Sequence, residues 1–175
     1  MIIFRMTDVL SKDLAFSVNN VVERLPGIES LFPVQIQLLD TLLKKDNIFF
    51  TSATNSGKTL PAIIFPDILE ELREIGYNVT SGKVLFLTSL NSIKMSMVSS
   101  AQKLGIRCAA VTVENCRDVV SSGAKVLFIS PEVLKVARVT SCLLSHRADF
   151  ILKVVDEAHL GKFVQEILIE RSLSV

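Results

Sequence analysis

Two short segments carry the residues best suited to chemistry. The first is Ser52-Ala53-Thr54-Asn55-Ser56-Gly57-Lys58-Thr59, which joins an apolar run to an amphipathic one. A loop between a strand and a helix can turn successive backbone N–H groups inward as an anion nest. The helix that follows adds its partial positive charge, so phosphate is the natural ligand. On this reading Thr54, Asn55, Ser56 and Gly57 cradle the phosphates of ATP. Lys58 reaches their terminal groups and the Thr59 hydroxyl coordinates Mg2+. Asn55 is a mild substitute for glycine in such a loop because asparagine tolerates a positive φ. The second segment is Asp156-Glu157-Ala158-His159, directly after an apolar run. There Asp156 suits a magnesium ligand, partly through water, and Glu157 suits orienting or deprotonating an attacking water. Asp156, Glu157 and Lys58 are thus the catalytic candidates. An Asp-Glu pair is also a common helix start, and Gly-Lys-Thr alone can arise by chance. The two in this order, each at the end of an apolar run, make coincidence the weaker explanation.

These segments need a scaffold, and the hydrophobic pattern describes one. Leu14, Val18, Val21, Val22 and Leu25 recur at helical spacing up to Pro26-Gly27. Ile36, Leu39, Leu42 and Leu43 mark a second helix. Ile63, Ile64, Ile68, Leu69, Leu72 and Ile75 outline a third, closed by Gly76, with Pro61 in its first turn and a kink expected at Pro66. Ile93, Met97, Ala101 and Leu104 outline a fourth, capped at Gly105. Strands are expected at 48–51, 84–87, 106–113, 126–129 and 150–155, the last interrupted by Lys153, and a helical tail at 163–169. Strand and helix alternate roughly five times, and the strands are continuous apolar runs. That pattern argues for a parallel sheet covered by helices, with ligands at the carboxyl ends of its strands.

Composition sets the outer limits. The chain has 175 residues, 49% of them apolar, and a mean hydropathy of +0.46. One domain with a substantial core is expected. The net charge of +1 makes no electrostatic case for nucleic acid, although a local patch can sit within a neutral total. Cys108, Cys116 and Cys142 fit neither a zinc pattern nor a disulfide framework, so buried thiols in a reducing compartment are expected. No apolar run reaches the roughly 18 residues of a membrane span, and Met1-Ile2-Ile3-Phe4-Arg5 does not read as a signal peptide. An intracellular protein is the expectation.

Taken together, the motifs resemble the first motor domain of superfamily 2 helicases, most closely the RecQ-like DNA helicases. "SATNSGKT" looks like motif I and "DEAH" like motif II. Leu31-Phe32-Pro33-Val34-Gln35 looks like the segment that precedes the phosphate loop in RecQ-like proteins, although that family usually has arginine where Phe32 stands. The resemblance implies that the Gln35 amide reads the adenine edge. Thr88-Ser89-Leu90-Asn91-Ser92 is placed like motif Ia, and Ser130-Pro131-Glu132 resembles motif Ib. By resemblance Ser89, Asn91, Ser130, Pro131 and Glu132 touch the backbone of a bound strand. Each also suits a helix N-cap. His159 would couple the two sites.

The implied fold is an α/β, three-layer P-loop NTPase (RecA-like) domain with a mainly parallel, incomplete sheet. Residues 1–26 form an N-terminal helical segment and 27–175 the helicase ATP-binding domain, truncated after the DEAH box. The chain departs from the RecQ-like pattern after Leu160. It has no tryptophan, no Ser/Thr-Ala-Thr of motif III and no second motor domain. That second domain normally supplies an arginine finger worth roughly 10³–10⁵ in rate. The resemblance therefore implies a motor domain that binds ATP, single-stranded or duplex DNA as partner, 3′ to 5′ polarity, a nuclear location, and no unwinding by this chain alone. A partner covering the face left by the second domain would fit. The alternatives are a non-catalytic nucleic-acid or protein-binding remnant of a helicase, and a small nucleotide kinase, which the scattered arginines disfavour.

Overall fold

Why the helices bury the faces they do is clearest in α1 (Ser11–Val22), α2 (Pro33–Lys44) and α3 (Thr59–Glu74). The computed structural model describes residues 11–44, 57–88 and 91–156, the side chain of Asn91 excepted. Expectations for 48–51, for Ser52 to Ser56, for Ser89, for Glu157 to Leu160 and for 163–169 lie outside those residues. The chain divides into two compact units, Met1–Ser81 and Gly82–Val175.

In the first unit α1 and α2 pack on α3. Leu14, Val18, Val21 and Val22 are buried as the spacing predicts. Pro61 to Pro66 are all buried in α3, so this helix is apolar nearly all round its first half. Gly76, at φ 102, supplies the left-handed turn that ends it, and the Tyr77 amide donates back to the Leu72 carbonyl at 2.9 Å. The expected apolar face of α2 needs correction. Ile36 is 38% exposed, and the buried face runs through Gln35, Leu38, Leu39 and Leu43. Ile75 likewise lies outward, at the C-cap of α3.

The second unit holds β1 (Lys83–Leu87), α4 (Asn91–Lys103), β2 (Cys108–Ala110), α5 (Cys116–Ser121), β3 (Val126–Ile129), α6 (Pro131–Leu134), α7 (Ala137–Ser145) and β4 (Phe150–Val155). The four strands form one all-parallel sheet in the order β2-β3-β1-β4. The strand expected over 106–113 shortens to Cys108–Ala110, because Thr112 and Asn115 bond each other in a turn and Asn115 also takes the Ala110 carbonyl. In α4, Ile93 is exposed and Lys94, Val98 and Ala101 are buried instead. α5, α6 and α7 were not foreseen.

Alternation divides the sheet residues between two faces. Leu85, Leu87, Leu127 and Ile129 pack with Val120 of α5 and with Val139 and Leu143 of α7. Val84, Phe86, Val126 and Phe128 are buried on the other face, where the Phe86 and Phe128 rings lie 5.4 Å apart and tilted by 43°. β1 and β3 are buried at every apolar position, as inner strands of a parallel sheet should be. β4 is half-buried, and Lys153 faces outward from it. Among the described residues no helix is long and apolar enough to cross a membrane.

Candidate nucleotide-binding site

In the first unit the site is built on the start of α2. Pro33 opens that helix, where its missing N–H costs nothing. Gln35, two residues on, turns its side chain back so that Oε1 accepts from the Phe32 amide at 2.8 Å. This is the reaching-back half of a capping box. The other end of the amide, Nε2, donates to the Gly57 carbonyl at 2.8 Å. The Leu60 amide donates to that same carbonyl at 3.1 Å, so both of its lone pairs are taken and the peptide plane before Lys58 is held. Gln35 is 3% exposed.

Gly57 is exposed, at φ 67. A Cβ there would stand 2.5 Å from Gln35 Nε2, so both the backbone conformation and the contact require glycine. Lys58 is half-buried at the N-cap of α3 and supplies no side-chain cap to it. Thr59, also half-buried, is the first helical residue. The described end of the loop thus presents a helix start, a lysine and a hydroxyl, as a phosphate site would.

In the second unit the parallel sheet brings the ends of β1, β2, β3 and β4 to one edge. The Asp156 amide donates to the Leu87 carbonyl at 3.1 Å, which seats this exposed aspartate beside the end of β1. Ser130, at the N-cap of α6, and Pro131 are buried, and Glu132 is exposed. Ser130 makes no side-chain cap to that helix. Asn91 is the first residue of α4. Thr54, Asn55, Ser56, Ser89, Glu157 and His159 lie outside the described residues.

One residue at this edge was not anticipated. Lys94 is 4% exposed, and its Nζ donates to the Val111 carbonyl over a long 3.5 Å. Burial pushes its pKa down, and the nearby Glu132 carboxylate partly opposes that. Its spacing from Val98 and Ala101 is the only trace in the sequence, and a lysine there reads as a solvated position.

The pattern of the DEAD/DEAH box helicases matches residues 32–171. The chain belongs to the DEAD/DEAH box helicase family. The match covers Gln35, the phosphate loop, both candidate strand-contact segments and the DEAH residues, most of the chain. No curated protein registers as a match. Membership assigns the parallel α/β sheet to a RecA-like P-loop domain, here an incomplete one, and implies an ATP-binding helicase motor with ATP and nucleic acid as its partners.

Proposed function

We propose that this DEAD/DEAH box domain is the ATP-binding motor domain of a RecQ-like, ATP-dependent DNA helicase, with 3′ to 5′ polarity and a nuclear setting. The observation that carries the nucleotide half of this reading is the hydrogen bond from Gln35 to the Gly57 carbonyl, which ties the start of α2 to the phosphate loop. The RecQ-like half is supported by Leu31 to Gln35 standing ahead of that loop. One N–H and one lone pair of the Gln35 amide remain for the adenine edge.

Lys58 binds the terminal phosphates. Thr54, Asn55, Ser56 and Gly57 surround them with backbone donors. Thr59 and Asp156 offer the hydroxyl and carboxylate oxygens that a hard cation such as Mg2+ prefers, so the donor set fits that ion. Mg2+ would neutralise developing charge on the phosphates when bound. Glu157 orients the attacking water, and His159 relays the state of the nucleotide to the nucleic-acid edge. There Ser89, Asn91 and Glu132 lie along the strand, and buried Ser130 and Pro131 fix where Glu132 stands. Unwinding requires two motor domains closing around ATP, so the 175 residues taken alone are expected to bind ATP without unwinding.

Thermal melting with and without millimolar ATP and Mg2+ tests the reading. The wild type is expected to melt several degrees higher with nucleotide, and Lys58→Ala to lose that gain. Equal melting of the two with nucleotide would remove the ATP assignment. Anisotropy of labelled single-stranded DNA across a salt series tests the strand contact. Binding that ignores Lys58, Asp156 and Glu157 would favour a non-catalytic binding remnant.

A further inference from the structure

The three cysteines are far apart in sequence, and the fold sorts them into two kinds. Cys108, on β2, is buried and its thiol donates to the Val98 carbonyl of α4 at 3.6 Å. Cys116 opens α5 and Cys142 lies within α7, and these two helices pack together on one face of the sheet. Cys116 is 4% exposed inside the apolar cluster, and Cys142 is half-buried against that cluster. The Cys116 thiol donates its hydrogen to the Cys142 sulfur.

We propose that Cys116 and Cys142 form an oxidisable dithiol, a modification site at which peroxide converts two neighbouring thiols to a disulfide joining α5 to α7.

The arrangement divides the labour between the two sulfurs. Cys142 is the one that solvent reaches, so it meets the oxidant. Cys116 keeps its proton, because burial, its hydrogen bond to Cys142 and the repulsion of a second thiolate all favour the neutral thiol and push it up to about 12. A retained hydrogen pointed at Cys142 stabilises negative charge there, which suits Cys142 to attack first and Cys116 to resolve.

The Cys142 thiolate attacks one oxygen of hydrogen peroxide. The O–O bond breaks, and the leaving hydroxide takes a proton to become water. Cys142 is now a sulfenic acid. The Cys116 sulfur then attacks the Cys142 sulfur and gives up its proton. The S–O bond breaks, and a second water leaves with that proton. Two thiols have lost two electrons to one peroxide, and dithiothreitol reverses the exchange.

Fully reduced protein is treated with a small excess of hydrogen peroxide, its remaining thiols are alkylated, and the unreduced digest is mapped by mass spectrometry. The expected product is an intrachain Cys116–Cys142 peptide pair, two hydrogens lighter than its separate halves and released by dithiothreitol, with Cys108 alkylated. Phenylarsine oxide, a probe for neighbouring thiols, is expected to bind the reduced protein one to one. Cys142→Ser should abolish both results. Cys116→Ser should leave Cys142 as a sulfenic acid trapped by dimedone. If burial of the new hydroxyl unfolds Cys116→Ser, the wild-type map and Cys142→Ser decide the matter. Oxidation that consumes Cys108 as fast as Cys142, links between separate chains only, or no cross-linked peptide would overturn the proposal.

Discussion

Gln35 and Gly57 depend on each other. The glutamine amide can reach the Gly57 carbonyl at 2.8 Å because Gly57 has no Cβ to stand in the way. The pair joins the N-terminus of one helix to the entry of another, so a change at either residue should be felt at the phosphate site.

Gly57→Ala should show this most directly. The left-handed backbone alone costs a residue with a Cβ about 1–2 kcal/mol, and the new methyl would meet Gln35 Nε2 at 2.5 Å. ATP affinity should fall roughly tenfold, about 1.4 kcal/mol. In Gln35→Ala/Gly57→Ala the contact is relieved and the backbone strain remains. Urea unfolding of the four proteins should therefore give a double mutant less destabilised than the sum of the singles, by roughly 0.5–3 kcal/mol. Strict additivity would mean that the two residues act separately.

A second relationship holds α1 to α3. Glu71, with its side chain 10% exposed, accepts from Asn20 Nδ2 at 2.9 Å and from Arg24 at 2.6 Å. Arg24 is 60% exposed and can rehydrate if its partner is lost, so the ion pair itself is worth little, under about 1 kcal/mol. Glu71→Ala should cost about 1–2 kcal/mol, through the Asn20 bond and lost packing. Glu71→Gln should cost less than that, and Arg24→Ala least. Equilibrium unfolding in urea ranks the three, and Arg24→Ala proving the worst would show that the ion pair dominates.

Alkaline stability should report on Cys116. Its folded-state pKa is raised from 9.0 to about 12, chiefly by burial. Below pH 9 the thiol is protonated whether folded or not, and its contribution is constant. Between pH 9 and 12 the unfolded chain sheds this proton and the native one keeps it, so the native state binds more protons and stability falls as pH rises. Urea midpoints measured under reducing conditions should drop above pH 9. The drop should be shallower in Cys116→Ala, and an unchanged slope would deny the thiol this role.

Much of this was legible before any coordinates. The apolar runs of β1 and β3, the α1 face from Leu14 to Val22, and the helix start at Lys58 follow from residue type and spacing. The errors share a cause. In α2 and again in α4 a polar residue occupies the buried face, and an isoleucine beside it is exposed: Gln35 with Ile36, Lys94 with Ile93. Hydrophobicity alone assigns the isoleucine to the core. The fold overrides it because Gln35 and Lys94 each find a backbone carbonyl, at Gly57 and Val111, far along the chain. α6 spans Pro131–Leu134 and is too short to show a period. α7 begins without a side-chain cap and contains Val139 and Thr140, both weak helix formers. The nearness of Cys116 to Cys142 depends on how α5 and α7 pack, which no local pattern encodes.

The parallel pairing of β1 with β4 has a consequence for the history of each molecule. Asp156 is seated by the Leu87 carbonyl, but α4, β2, α5, β3, α6 and α7 all lie between them in the chain. Non-local pairings of this kind are slow, because the intervening chain loses its freedom before the contact rewards it. On the ribosome, α1, α2 and α3 emerge long before the aspartate does. This edge of the sheet is therefore among the last parts to mature, and a newly made chain passes through a stage in which the lysine of the phosphate loop is in place ahead of its acidic counterpart.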